Sequence, residues 1–458
     1  MRAMEQTIIT REYIDQLIEL IERKDENAIR ELVKDLHSSD FATIYDEVEV
    51  EQVRYLLFLL DKETAGDVLV ELEEDDREEL LENIPAEEIV EQFINEMDSD
   101  DAADIIGDMP EHRQEEILSK IKDLDQAGDI VDLLHYDEDS AGGLMAKEFI
   151  RVENDWNIGH CIEKIREQAE EVEEIYFVYV TDSDNILKGI ISLKQLIVHD
   201  WNQPIAELVE KEVISVKTDA KAEHVANIME KYDLVALPVV DSIGRLVGRI
   251  TIDDVVDVIR EAAEKDYQMI SGITSDVESS DKIWPLTRAR LPWLLIGLLG
   301  GIFGSRVIGI FQGELGLYPQ LILFIPLIAS MAGNVGIQSS SIIVQGLASN
   351  SLGIESTPKK LLKELMVGLM NGIITASVLF TYNLLTASSM SLAIALSISL
   401  LTVILFASFF GTIIPLLLSR MKIDPALATG PFITTTNDIM SALIYLNIGK
   451  IIFEANLF

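Results

Sequence analysis

The chain has 458 residues, 36 Lys+Arg against 79 Asp+Glu, a formal net charge of −43 and 48% hydrophobic residues. The charge is segregated: residues 286–458 hold nine basic and six acidic side chains, a net +3, which leaves −46 on the first 285. An acidic half joined to a nearly uncharged apolar half excludes a one-compartment globular protein. It also excludes a nucleic-acid binder, which needs a basic surface to displace counterions.

The N-terminus is charged and amphipathic and lacks the apolar core and small-residue cleavage site of a signal peptide, so the first 285 residues are expected to stay where they are made. The single cysteine, Cys161, cannot form an internal disulfide, which suits a reducing cytoplasm. Residues 1–135 read as an acidic, all-α solenoid of short helices. Small-acid pairs recur in Ala65-Gly66-Asp67, Ala102-Ala103-Asp104 and Ala127-Gly128-Asp129, each followed by apolar residues at helical spacing. Single acids there are solvated surface; their sum is not, because a large net charge makes domains repel one another. Divalent cations at the junctions would relieve that repulsion.

Residues 140–262 carry an internal repeat of about 60 residues. Val178-Tyr179-Val180-Thr181-Asp182-Ser183 running into Leu187-Lys188-Gly189-Ile190-Ile191-Ser192 matches Pro238-Val239-Val240-Asp241-Ser242 running into Leu246-Val247-Gly248-Arg249-Ile250-Thr251. Each copy reads as helix, strand, polar turn, strand, helix. The repeat resembles a tandem pair of CBS (cystathionine-β-synthase) domains, an α/β module, expected here over 136–200 and 201–258. In that family a Gly, a Ser/Thr and an Asp read the ribose of an adenosine nucleotide. The resemblance implies one weak nucleotide site at Gly248, Thr251 and Asp254, with Arg249 where an apolar residue is usual. The first copy has Gly189 and Ser192 but Gln195 at the acid. A connecting helix and linker over 253–285 would pass movement onward.

Residues 286–458 read as an all-α membrane domain. A bilayer core about 30 Å thick needs roughly 20 apolar residues per helix, and five stretches qualify, near 291–311, 319–347, 365–385, 391–418 and 430–454. Arg288 and Arg290, then Lys359, Lys360 and Lys363, then Arg420 and Lys422 alternate with loops that lack Lys and Arg. By the positive-inside rule the N-terminus is cytoplasmic and the C-terminus outside, in a multi-pass cytoplasmic (inner) membrane protein. Gly297, Gly300, Gly301 and Gly304 give overlapping GxxxG spacings, which point to close helix packing. Gly333-Asn334-Val335-Gly336-Ile337-Gln338, followed by Ser339, Ser340 and Ser341, is a polar run at membrane depth that needs water, protein or an ion.

Asp438, in Thr434-Thr435-Thr436-Asn437-Asp438, is eight positions into the last stretch, roughly 10 Å at about 1.5 Å per residue. It is expected to be the only carboxylate well inside a span. Left ionised without a partner it costs on the order of 2.5–3.5 kcal/mol. The spans contain neither Cys nor His, so the site suits a hard cation rather than a soft transition metal. Magnesium is held through one or two carboxylates with its waters retained, and a two-fold dimer would bring two copies of Asp438 to one axis. The chain has no GxxxxGK[ST] motif, no His/Cys cluster and no Ser–His signature, which argues against an enzyme.

The order of these parts resembles the MgtE family of magnesium channels and transporters over essentially the whole chain. Gly333-Asn334-Val335-Gly336-Ile337-Gln338, Asp424-Pro425-Ala426-Leu427, Gly430-Pro431 and Asp438 are the most specific local matches. The resemblance implies a homodimer in the lipid bilayer whose pore is lined by spans two and five, with Asp438 at the ion-selecting position and Asn334, Gly333, Gly336, Gln338, Thr434 and Asn437 around it. It implies regulatory Mg²⁺ at Asp100 and Asp104 facing Asp254 and Asp257, a further ion between Glu223 and Asp233, and Glu264 and Asp266 as weaker candidates, because Arg260 and Lys265 interrupt the connecting helix. Mg²⁺ bound there would close the pore, and ATP at the CBS domains would be a further ligand. Two other readings are a broader divalent transporter (Co²⁺, Ni²⁺ or Ca²⁺) and a membrane-anchored CBS nucleotide sensor without transport.

Overall fold

A computed structural model describes residues 9–455 apart from 46, 170–171, 173, 275–276, 278–282, 349–356, 387–388 and 426–429. The last gap includes Ala426 and Leu427 of the expected motif. Two units are distinct, Met1–Arg260 and Glu261–Phe458.

Short capped helices build the start of the first unit: α1 (Arg11–Arg23), α2 (Glu26–Val33), α3 (Ser38–Tyr45), α4 (Val50–Leu57), α5 (Lys62–Val70), α6 (Glu74–Leu81), α7 (Ala86–Gln92), α8 (Ser99–Gly107), α9 (Glu111–Leu118) and α10 (Leu124–Leu133). Thr10, Asp25, Asp61 and Asp123 each accept a first-turn amide at the N-terminus of their helix, satisfying donors that the helix itself cannot. In α1 the buried residues are Ile14, Leu17 and Ile21, a three-and-four spacing that puts one stripe inward, and Lys24 ends the helix at φ 53°. The small pairs serve packing. Ala65, Gly66, Ala102 and Ala103 are buried, and a Cβ on Gly66 would meet the Phe93 carbonyl and Met97 at 3.4 Å. Gly128 departs from that pattern, with open space where its Cβ would be.

The repeat folds as two equivalent halves. The first is β1 (Arg151–Glu153), α11 (Ile158–Gln168), β2 (Val178–Thr181), β3 (Leu187–Ile191) and α12 (Leu193–Val198). The second is β4 (Val216–Lys217), α13 (Ala222–Tyr232), β5 (Ala236–Val240), β6 (Leu246–Thr251) and α14 (Ile252–Ile270). In each sheet the first strand is parallel to the central one and the third antiparallel. The turn chemistry repeats as well: Asp182 accepts from the amides of Asp184 and Ile186, and Asp241 from those of Ile243 and Arg245. The two turns meet, with Leu187 N donating to Gly244 O at 3.1 Å and Leu246 N to Asn185 O at 2.9 Å. Gln195 in the first copy closes a capping box with Ser192, and Asp254 holds the same place against Thr251 in the second.

The second unit contains α15 (Ile283–Ile310), α16 (Gln312–Leu317), a 3-10 turn (Pro319–Phe324), α17 (Ile325–Ala348), α18 (Thr357–Leu385), α19 (Met390–Arg420) and α20 (Pro431–Glu454). Among the described residues, four segments are long and apolar enough to cross a bilayer: Ile283–Ile310, Pro319–Leu347, Thr357–Leu385 and Met390–Arg420. The sequence counted a fifth. α20 has 24 residues, about 36 Å at 1.5 Å each, and its Thr-Thr-Thr-Asn-Asp turns set it apart from the others. α19 is the hub, packing on α17, α18 and α20, while α15 packs on α20. The helices approach closely through glycine. A Cβ on Gly411 of α19 would stand 2.5 Å from the Gly336 carbonyl of α17, and one on Gly368 of α18 would stand 2.5 Å from Ser408 Oγ of α19.

Candidate cation sites

In the membrane unit, α17 and α20 meet along the expected polar run. Asn437 is buried, its Nδ2 donates to the Ala332 carbonyl at 3.4 Å, and a Cβ on Gly336 would collide with that same Nδ2. Gly333 is bare toward α20: its Cβ position lies 3.9 Å from Asp438 Oδ1 and 4.0 Å from Thr434 Cγ2. The two glycines thus have different work. Gly336 admits Asn437, and Gly333 leaves room beside the Asp438 carboxylate. Asp438, Asn334 and Gln338 are exposed on the surface of the single chain, while Thr434 is half-buried.

A second carboxylate touches the polar run of α17. Helix α18 begins eight residues before the apolar stretch, at Thr357, so Glu364 lies on the helix, and Ser339 of α17 donates to its Oε1 at 2.7 Å. The apolar stretch expected from 365 onward starts after Glu364, so apolar length alone does not show that the helix has already begun.

In the first unit, the start of α8 and the loop before β1 converge. Carboxylate oxygens of Asp98, Asp100 and Glu148 lie within 4.8 Å of one another. Ser99 holds Glu148 in place, its amide donating to Oε1 at 3.2 Å and its hydroxyl to Oε2 at 2.9 Å. The Lys147 amide donates in turn to Ser99 Oγ at 3.1 Å. Asp254 Oδ2 accepts from the Thr251 amide at 3.0 Å and its hydroxyl at 2.8 Å.

Burial and like charge raise these acids. Asp100 is held well above the usual range, first by burial and then by Asp101, Asp254, Asp98 and Glu148. Asp101 rises for the same reasons, burial first and Asp254 next. Burial lifts Asp104 to about 7, and lifts Asp254 to about 6 against the opposing Thr251 hydrogen bonds. An all-oxygen set that is costly to ionise without a counter-charge fits a hard divalent ion such as Mg²⁺ or Ca²⁺.

Asp254 adds to the negative field that raises Asp100 and Asp104, and sequence reading missed Asp98 and Glu148. Asp257 is exposed on α14. Asp266 lies on α14 with its side chain outside the described residues. Glu223 and Asp233 do not meet within one chain. They sit at opposite ends of α13, ten residues and about 15 Å apart, too far for one ion.

At the expected nucleotide site Gly248 is needed for packing, because a Cβ there would meet Met145 Sδ at 2.6 Å and the Ala146 carbonyl at 2.9 Å. Arg249 follows it into the interior beside Phe149, Ile175, Tyr176 and Tyr179, which leave no space among them large enough for a water molecule. The Tyr179 hydroxyl is buried without a hydrogen-bond partner.

Comparison with known proteins agrees with this layout. The family model for MgtE, a divalent cation transporter, matches residues 325–448; that for the MgtE intracellular N domain matches 36–139; and that for the CBS domain matches 141–201 and 205–261. The chain is 33% identical over 444 residues to the magnesium transporter MgtE of Thermus thermophilus, covering 96% of this chain and 98% of that protein. It is 34% identical over 326 residues to the magnesium transporter MgtE of Enterococcus faecalis, covering 71% and 72%. Among solved structures, it is similar to the cytosolic domain of the Mg²⁺ channel MgtE in complex with ATP, at 35% identity over 54% of this chain and 99% of that one, with a TM-score of 0.49. Membrane helices, CBS pair and acidic helical domain all match, and the chain belongs to the MgtE family of magnesium transporters.

Proposed function

We propose that the chain imports Mg²⁺ through a homodimeric pore in the cytoplasmic membrane and that cytosolic Mg²⁺ shuts it. The observation that carries the pore is the α17–α20 contact: Asp438 opens beside bare Gly333, and Asn334 and Gln338 share the exposed side of the chain. A second copy facing this polar strip would enclose it, with Asp438 as selecting carboxylate and Thr434 and Asn437 supporting it. Polar groups at membrane depth are costly unless water or an ion meets them. Inward transfer of a divalent ion gains about 4.6 kcal/mol per 100 mV, so the membrane potential suffices as driving force. The N-terminus is cytoplasmic and the C-terminus outside, following the positive loops.

Asp98, Asp100 and Glu148 would hold a regulatory ion, with Asp101, Asp104 and Asp254 supplying further negative charge. Its chemistry is neutralisation: it permits acids on different segments to ionise together. Adenosine nucleotide would be read at Gly248, Thr251 and Asp254, the positions that match the ribose-binding signature.

The test is Mg²⁺ uptake into proteoliposomes under an imposed inside-negative potential. Asp438→Ala is expected to abolish uptake while the protein stays folded and dimeric. Undiminished uptake by that variant would remove Asp438 from the pathway, and absent uptake by the wild-type chain would favour a membrane-anchored sensor. Uptake of Co²⁺ or Ni²⁺ with Mg²⁺ present would make the chain a broader divalent transporter.

A further inference from the structure

Arg249 lies where the ribose-binding signature normally has an apolar side chain. Its backbone is fixed on β6, pairing with Pro238 on one side and exchanging hydrogen bonds with Ala146 on the other, at 2.8 and 3.0 Å. The side chain cannot reach water: the residue is 5% exposed. Its Nη1 donates to the Glu174 carbonyl at 2.8 Å, its Nε is buried without a partner, and the guanidinium lies 6.0 Å from the Tyr176 ring centre. Its Nη2 stands 3.9 Å from Asp98 Oδ2.

A buried guanidinium held by one carbonyl, with an unpaired nitrogen, is under-satisfied. Its charge is met by the field of the carboxylates ahead of it, where Asp98 joins Asp100 and Glu148 within 4.8 Å. Arginine does not lose its proton in proteins. The positive charge is therefore permanent, and it stands against one edge of the carboxylate set.

We infer that Arg249 is a built-in competitor of the regulatory divalent cation: it partly neutralises the Asp98–Asp100–Glu148 set in the ion-free chain and so weakens cation binding there. The inference rests on the regulatory reading above. The guanidinium and a bound ion repel each other, and both draw on Asp98. An arginine beside a carboxylate changes that carboxylate's affinity for a proton by roughly 10- to 1000-fold. For a doubly charged ion the effect is at least about tenfold by the same argument. The residue thereby sets the Mg²⁺ concentration at which the junction fills.

The experiment measures the half-saturating Mg²⁺ concentration for thermal stabilisation of the full-length protein in detergent, with KCl holding ionic strength constant. Arg249→Met restores the apolar character and nearly the length; Arg249→Lys keeps the charge. Half-saturation is expected to fall about tenfold or more in Arg249→Met and to stay within about threefold of wild type in Arg249→Lys. Asp98→Asn added to Arg249→Met should weaken binding again. A gain in affinity separates the role from a structural one, because loss of packing cannot tighten an ion site. An unchanged or raised half-saturation in folded Arg249→Met overturns the inference. If Arg249→Met does not fold, Arg249→Gln is judged by the same criterion. A wild-type chain that gives no Mg²⁺ response overturns the regulatory reading and this inference with it. A responding wild type with an unresponsive Arg249 overturns the inference alone.

Discussion

Ion-free stability of the first unit should fall as pH rises, and Mg²⁺ should restore it most at high pH. Burial raises Asp254 from 3.8 to about 6. At roughly 1.4 kcal/mol per pKa unit, ionising it in the folded junction costs about 3 kcal/mol relative to the unfolded chain. Asp100 and Asp101 act in the same direction. Asp104 rises to about 7, but its surface is exposed, so solvent screening reduces its weight. Because these folded-state values lie above the unfolded ones, the stability they give is complete below about pH 4 and is lost as pH climbs through 6 to 7. A bound divalent ion favours the ionised form and cancels the loss. The assay is thermal unfolding of the full-length protein with and without saturating Mg²⁺ at about pH 5 and about pH 8, at matched ionic strength. Because pH 5 lies midway between 3.8 and 6, about half of that cost is already present there, and the remaining half, about 1.5 kcal/mol or roughly 3–6 °C in a unit of this size, is expected as the extra Mg²⁺-induced shift at the higher pH. Equal shifts at both pH values, or an ion-free protein that becomes more stable between pH 5 and 8, would refute the reasoning.

Gly336→Ala should separate α17 from α20, because the new methyl collides with Asn437 Nδ2 and sits 3.0 Å from Ile433 Cγ2. A loss of about 1–3 kcal/mol, the usual cost of overpacking, is expected in detergent unfolding. Ser99→Ala removes the hydroxyl hydrogen bond to Glu148 and keeps the amide one. It should weaken Mg²⁺ stabilisation by about 1.5–3 kcal/mol, the range for a bond to a charged group, read as a raised half-saturation. Gly272 follows α14 with φ at +81°, and a Cβ there would lie 2.9 Å from Pro431 at the start of α20. Gly272→Ala is therefore strained twice over, and it should blunt the Mg²⁺ dependence of uptake in the proteoliposome assay while ion binding to the first unit is retained.

Much of this protein is legible without coordinates, for a physical reason: charge segregation, apolar length and turn chemistry are local properties of a chain. Span length is set by bilayer thickness. The recurrence of Asp182 and Asp241 at matching turns, and of Gln195 and Asp254 at matching caps, follows from neighbours two to four residues away. Asp438 announces itself because an acid in an apolar run is expensive wherever the run folds. What the tertiary structure alone decided is which distant groups share a site. Glu148 reaches Ser99 across 49 residues and completes the carboxylate set. Glu364 becomes a partner of Ser339 because α18 starts earlier than its apolar stretch. Glu223 and Asp233 flank one helix in sequence, yet its length holds them apart. Arg249 is an ordinary strand residue in the alternation of β6, and only the packing of β6 against Ala146 turns it into a buried charge facing Asp98. Electrostatic energy depends on distance and burial in three dimensions, and neither can be read from spacing along the chain.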